Sequence, residues 1–186
     1  MRNEIESVLK GHGADYIEIR IEESEASRIQ YRDRMIEDIG RTTSLGGNVR
    51  ALVKGGWGFV SFNSLENLRE KVALAVKQAG LVGQEESQLA PIEPVVDTVE
   101  IEVKNPPSSI PLAQKKQILD EYNDLIWSTP KIQTSSISYG DGRKKVIFAS
   151  SEGSYIEQIK PDVTIRLAVV ARDGSDVQQA HLSLGS

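Results

Sequence analysis

The 186-residue sequence contains no cysteine. That absence removes disulfides, thiolate nucleophiles and zinc-thiolate sites together, and it fits a reducing, cytoplasmic setting. No apolar run reaches membrane-spanning length. The start, Met1-Arg2-Asn3-Glu4-Ile5-Glu6, is polar and acidic where a secretion signal has a basic end followed by an apolar stretch. Histidine is scarce: His12 and His181 fall in neither H-x-x-x-H nor H-E-x-x-H spacing, so no metal site is expected from this chain alone. Nor is there an excess of cations. The 22 Lys and Arg residues are interspersed with 27 Asp and Glu, giving a net charge of −5, which offers no support for nucleic-acid binding.

What is present is enough apolar material, 39%, for one ordinary core or for one core and the start of a second. Ile5, Val8, Leu9 and His12 follow helical spacing, and Gly11 and Gly13 close that helix. Ile17, Ile19 and Ile21 then alternate with Glu18, Arg20 and Glu22 as a half-buried strand does. The polar run Glu22 to Ser27 is expected to bend or bulge. A hairpin follows, with Arg28 to Tyr31 and Met35 to Ile39 turning at Arg32-Asp33-Arg34, and after Gly46-Gly47 a second hairpin joins Asn48 to Lys54 and Gly58 to Phe62 through Gly55-Gly56-Trp57. Asn63-Ser64-Leu65-Glu66 reads as a capped helix start, with Leu65, Leu68, Val72, Ala75, Val76 and Ala79 as its apolar stripe.

Five of the seven prolines lie at 91, 94, 106, 107 and 111. The sequence therefore divides into an amino-terminal α+β domain, 1–83, a proline-rich linker or extended segment, 84–110, and the start of a second α+β region, 111–186. In the second region Leu112, Ile118, Leu119, Tyr122, Leu125 and Ile126 mark an amphipathic helix. Strands follow at 132–139, 145–150, 154–159 and 163–171, with turns at Gly140-Asp141-Gly142, Glu152-Gly153 and Lys160-Pro161. Val177, Ala180, Leu182 and Leu184 resume a strand whose edge is expected to meet a continuation or a partner chain. The expected class is α+β, antiparallel β-meanders with amphipathic helices in two sub-regions.

No segment carries a complete catalytic motif. The glycines of 46–58 flank strand residues and match neither G-x-x-x-x-G-K-[S/T] nor a dinucleotide loop. Ser150-Ser151-Glu152-Gly153-Ser154 lacks the G-x-S-x-G elbow and a neighbouring histidine, so a polar hairpin tip is expected. Glu22, Glu23 and Glu25 read as solvated carboxylates, and Arg143-Lys144-Lys145 has no interleaved aromatics to make a nucleic-acid platform.

In order along the chain, Ala14-Asp15-Tyr16-Ile17-Glu18-Ile19-Arg20, Gly46-Gly47-Asn48-Val49-Arg50-Ala51-Leu52, Gly56-Trp57-Gly58-Phe59 and Ser150-Ser151-Glu152-Gly153-Ser154-Tyr155-Ile156-Glu157-Gln158 resemble the TldD/PmbA proteins, and look more like the TldD side. The resemblance implies a cytosolic peptidase of unstructured peptides, a zinc ion held by H-E-x-x-x-H and a later cysteine, and a homodimer or a heterodimer with a TldD/PmbA paralogue. No such motif occurs before Ser186, so no catalytic or metal residue carries over. Zinc is expected only in a complete family member. The chain is then expected to be the inactive amino-terminal portion of such an enzyme, or a non-catalytic peptide-binding or assembly subunit. A DNA-associated regulator, suggested by the family's label as a modulator of DNA gyrase, is opposed by the charge.

Overall fold

The computed structural model describes residues 1–85, 87 and 89–185. In chain order the elements are α1 (Arg2–Val8), β1 (Tyr16–Arg32), β2 (Met35–Val53), β3 (Gly56–Phe62), α2 (Leu68–Val82), β4 (Val96–Glu100), α3 (Leu112–Ser128), β5 (Ile132–Ser150), β6 (Tyr155–Asp173) and β7 (Asp176–Gly185). The fold is α+β, with strand order β3-β2-β1-β5-β6-β4 and β7 also pairing with β6. Pairing is antiparallel for β2 with β3 and β6 with β7, and parallel for β4 with β6.

Two compact units are interleaved along the chain. One comprises Met1–Glu23, Ser44–Glu100 and Lys144–Ile159, the other Ser24–Thr43, Ile101–Arg143 and Lys160–Ser186. The first has its core between the inward faces of α1 and α2 and the strands: Ile5 and Leu9, Leu68, Val72, Ala75 and Ala79, Ile17, Ile19 and Ile21, Val49 and Ala51, Ile147 and Ala149. Of the stripe read on α2, Leu68, Val72, Ala75 and Ala79 are buried, Val76 is partly buried, and Leu65 lies before the helix and is partly buried. Helix α2 lies directly on β3, because a Cβ on Gly58 would run into the Ala75 carbonyl oxygen and one on Gly56 into that of Ala79. The β2–β3 turn is Lys54-Gly55, both at positive φ (46° and 79°), and Val53 pairs with Gly56. Gly56 and Trp57 thus belong to the strand, not to the turn. The helix also starts later than the cap signal: Ser64 Oγ accepts from the Glu66 amide at 3.2 Å in a local turn, and α2 begins after Asn67 with no side-chain cap.

In the second unit α3 packs Leu119 against Ile29, Tyr31 and Ile137, with Leu112, Ile126, Tyr139, Ile165 and Leu167 around them. Three residues read as part of its apolar stripe point outward instead: Ile118, Tyr122 and Leu125 are 48%, 42% and 66% exposed, while Lys115 and Asn123 are buried. The β1–β2 turn falls at Asp33-Arg34, with Asp33 at φ 54°. Strand β7 pairs with β6 from Asp173↔Asp176 to Thr164↔Gly185, and all ten of its residues are exposed.

The strands are longer than the sequence suggests. No break occurs at Glu22 to Ser27, Gly46-Gly47, Gly140-Asp141-Gly142 or Lys160-Pro161, all of which lie inside β1, β2, β5 or β6. Pro161 is tolerated because it falls between the last β4 pair, Glu100↔Ile159, and the first β7 pair, Thr164↔Gly185. Part of the proline-rich stretch is likewise ordered strand, as β4 pairs with Tyr155–Ile159.

Candidate functional site

Several of the polar groups singled out in the sequence have structural occupations. The His12 ring bonds the Val8 carbonyl oxygen at 2.8 Å, at the carboxyl end of α1, and His181 sits on exposed β7 opposite Ala168. Ser151 Oγ accepts from the Ile17 amide at 2.9 Å and Ser154 Oγ from the Val95 amide at 3.1 Å, so the serine-rich tip ties neighbouring strands together. Glu22 pairs with Lys144 at 2.6 Å, and Lys145 with Glu157 at 3.0 Å. Among the described residues no group of three or more His, Cys, Asp or Glu side chains is placed to hold a metal.

In the first unit Tyr16 donates to Glu18 at 2.9 Å, Arg50 pairs with Glu18 at 3.0 Å, and the Arg50 guanidinium lies 4.5 Å from the Trp57 ring centroid. Burial, then the Glu18 carboxylate, pushes the Tyr16 phenol well above its ordinary value. This cluster holds its own charges and leaves no acid or base poised for transfer.

The second unit holds a constellation that the sequence reading missed. Lys115 replaces an apolar residue on the inward stripe of α3, three residues after Leu112 and four before Leu119. On β5, Asp141 follows Ile137 and Tyr139 in alternation, and on β1 Ser27 precedes Ile29 and Tyr31 in the same way. Lys115 Nζ donates to Asp141 Oδ2 at 2.6 Å and to Ser27 Oγ at 3.2 Å, and lies 5.8 Å from the Tyr139 ring centroid. The Lys115 and Asp141 side chains are 1% and 4% exposed. Burial and its hydrogen bond to Asp141 raise the Tyr139 phenol, which therefore stays protonated as a donor.

A cleft of about 190 Å³ opens beside this pair, with Ser27, Asp141, Glu25, Arg41, Thr42 and Ser108 among the residues that line it. Lys115 offers no lone pair to take a proton from Ser27, because as an ion pair it donates to both partners. The arrangement is thus not a serine–lysine hydrolytic dyad. It is a buried charge anchor beside a polar cleft.

Comparison with known proteins agrees with the chain's resemblance. The family model "PmbA/TldA metallopeptidase domain 1" matches residues 17–79, and "PmbA/TldA metallopeptidase central domain" matches 105–185. A metalloprotease of Synechocystis is 41% identical over 175 residues, covering 93% of this chain and 38% of that protein. One of Methanothermobacter thermautotrophicus is 30% identical over 171 residues, covering 92% and 37%. Among solved structures, TldE from Thermococcus kodakarensis superposes with a TM-score of 0.79 at 18% identity, covering 100% of this chain and 42% of that one. A protein from Bacteroides thetaiotaomicron named as a modulator of DNA gyrase gives 0.76 at 16%, covering 99% and 44%. The chain spans less than two fifths of the length of these curated relatives. With both family models matched in order, the chain belongs to the TldD/PmbA family and carries its amino-terminal part.

Proposed function

We propose that this chain is the amino-terminal part of a TldD-type zinc metallopeptidase that hydrolyses unstructured peptides in the cytoplasm, and that it supplies scaffold and peptide contacts, not the reaction itself. Its donor set does not fit a catalytic zinc: the two histidines are in different units, His12 is committed to the Val8 carbonyl, and no cysteine exists. No catalytic step is assigned to its residues. No helix is long and apolar enough to cross a membrane.

The observation that carries the reading is β7, hydrogen-bonded to β6 on one side and exposed at every residue. An extended peptide can pair with such an edge through its backbone, which is tolerant of sequence. The test is hydrogen exchange on the zinc-loaded complete protein, with and without an unstructured peptide. Slower exchange of β7 amides is expected; peptide turnover with unchanged exchange in β7 overturns the edge contact. Incubating residues 1–186 with zinc and the same peptide should give no cleavage, and cleavage there would overturn the scaffold assignment.

The second reading is a non-catalytic assembly subunit that forms a dimer with a metallopeptidase paralogue. It is favoured by the exposed apolar residues of α3, Ile118, Tyr122 and Leu125. A stable, metal-free complex with a paralogue in analytical ultracentrifugation would select it.

A further inference from the structure

We infer that the open edge of β4 docks an extended segment of another protein in which a lysine or arginine stands between two apolar residues, one two positions before it and one two positions after. The inference does not depend on the peptidase reading, and it concerns the first unit, whereas β7 belongs to the second. Strand β4 is the last in the strand order, and among the described residues its ladder partner is Tyr155–Ile159 of β6, in parallel. Residues 91–100 are exposed throughout. Among them Ile92, Val95, Val96 and Val99 keep 65%, 50%, 51% and 46% of their surface in solvent. An edge strand that carries this much uncovered apolar surface is a template for pairing with a partner strand.

The ladder shows which backbone groups face the open side. Tyr155 gives its amide to the Val95 carbonyl oxygen at 2.8 Å. Successive residues of a strand bond to opposite sides, so Val95, Asp97 and Val99 bond β6, and the N–H and C=O of Val96 and Thr98 turn away from it. The Thr98 amide agrees: it donates to Asp97 Oδ1 at 2.8 Å, a local bond that a partner strand's carbonyl can replace. Side chains then set the partner's sequence. Val95, Asp97 and Val99 share one face of the strand, and among the described residues no cation pairs with Asp97. Opposite them a paired strand needs an apolar residue, a cation and an apolar residue at the same spacing. A second copy of this chain does not supply it. Two β4 edges would bring Asp97 and its copy together, and in none of the described strands does a Lys or Arg have apolar side chains both two before and two after it.

The experiment is an amide chemical-shift titration of residues 1–186 at constant ionic strength with two end-capped peptides, Ser-Val-Thr-Lys-Thr-Val-Ser and the same peptide with glutamate for lysine. Saturable shifts at Val96–Glu100 and Tyr155–Ile159 are expected with the lysine peptide, in the millimolar range or below. The glutamate peptide should bind about threefold to tenfold more weakly, and Asp97→Lys should reverse that order. Thr98→Pro should weaken the lysine peptide roughly tenfold, because it removes an amide on the open side and leaves the bonds to β6 in place. Equal binding of the two peptides, an order unaltered by Asp97→Lys, or shifts that do not saturate would overturn the inference. So would slow hydrogen exchange of Val96 and Thr98 in the complete protein without peptide, because the rest of that protein would then already cover the edge.

Discussion

Lys115 Nζ and Asp141 Oδ2 lie 2.6 Å apart with side chains almost wholly buried, so helix α3 is fastened to strand β5 by a buried charge pair. Removing one partner strands the other in a medium that cannot solvate it. Lys115→Met and Asp141→Asn should therefore each destabilise the chain by about 3–5 kcal/mol in urea unfolding. The double variant Lys115→Met/Asp141→Leu should recover much of that loss, because nothing charged is left behind. Additive single losses would show that the pair is not coupled.

Glycine plays opposite parts at two positions. At Gly58 a side chain would collide with α2, so Gly58→Ala should cost at least about 1–3 kcal/mol and loosen near-ultraviolet aromatic signals. Gly80 lies inside α2 with Val53 Cγ1 the nearest atom to a new Cβ, at 4.0 Å. Gly80→Ala should stabilise by roughly 0.5–1 kcal/mol, read as a rise in the midpoint of thermal unfolding.

Tyr31 donates its hydroxyl to Asp120, and Asp120 also accepts from Lys116 at 2.6 Å. The Lys116 ammonium, then the Tyr31 hydroxyl, hold the Asp120 carboxyl below its usual range. A lowered carboxyl stabilises the fold above its unfolded value and loses that contribution as pH falls through its folded value. The stability gap between the chain and Asp120→Asn should be flat near neutral pH and close in acid below about pH 4. For Tyr31, raised by burial first and then by Asp120, the sign is opposite. Its contribution is complete below the unfolded phenol value of about 10 and fades as pH rises through the folded value, so Tyr31→Phe and the unaltered chain should converge only in strong base.

Ser154 Oγ receives the Val95 amide at 3.1 Å next to the start of β4. Ser154→Ala should cost about 1 kcal/mol and speed amide exchange through Val96–Glu100, leaving α3 unaffected. Unchanged exchange there would mean that the β4 ladder holds without this bond.

Local periodicity was readable where one face is covered by a helix. Ile17, Ile19 and Ile21, the α2 stripe, and the turn at Asp33-Arg34 follow directly from spacing. Periodicity failed where polar residues or glycine sit mid-strand, as at Glu22 to Ser27 and Gly140 to Gly142, because turn chemistry and the uncovered middle of a long strand use the same residue types. The buried pair was hidden for a related reason. A search for apolar spacing on α3 picks Ile118, Tyr122 and Leu125 and passes over Lys115, whose burial depends on Asp141 twenty-six residues on. A lysine in register with Leu112, Leu119 and Ile126, with a glycine-flanked aspartate downstream, was the available signal.

Interleaving of the two units sets the order in which the chain can be completed during synthesis. The first core takes Ile5 and Leu9 from its beginning and Ile147, Ala149 and Tyr155 from a segment made more than 130 residues later. A nascent chain released through residue 83 has both helices of that core and the strand segments of β1, β2 and β3, yet those of β4, β5 and β6 are missing. Helices α1 and α2 must then wait with apolar faces uncovered until β5 and the first part of β6 emerge, which makes contact with a holding chaperone more probable for this topology than for two domains laid end to end.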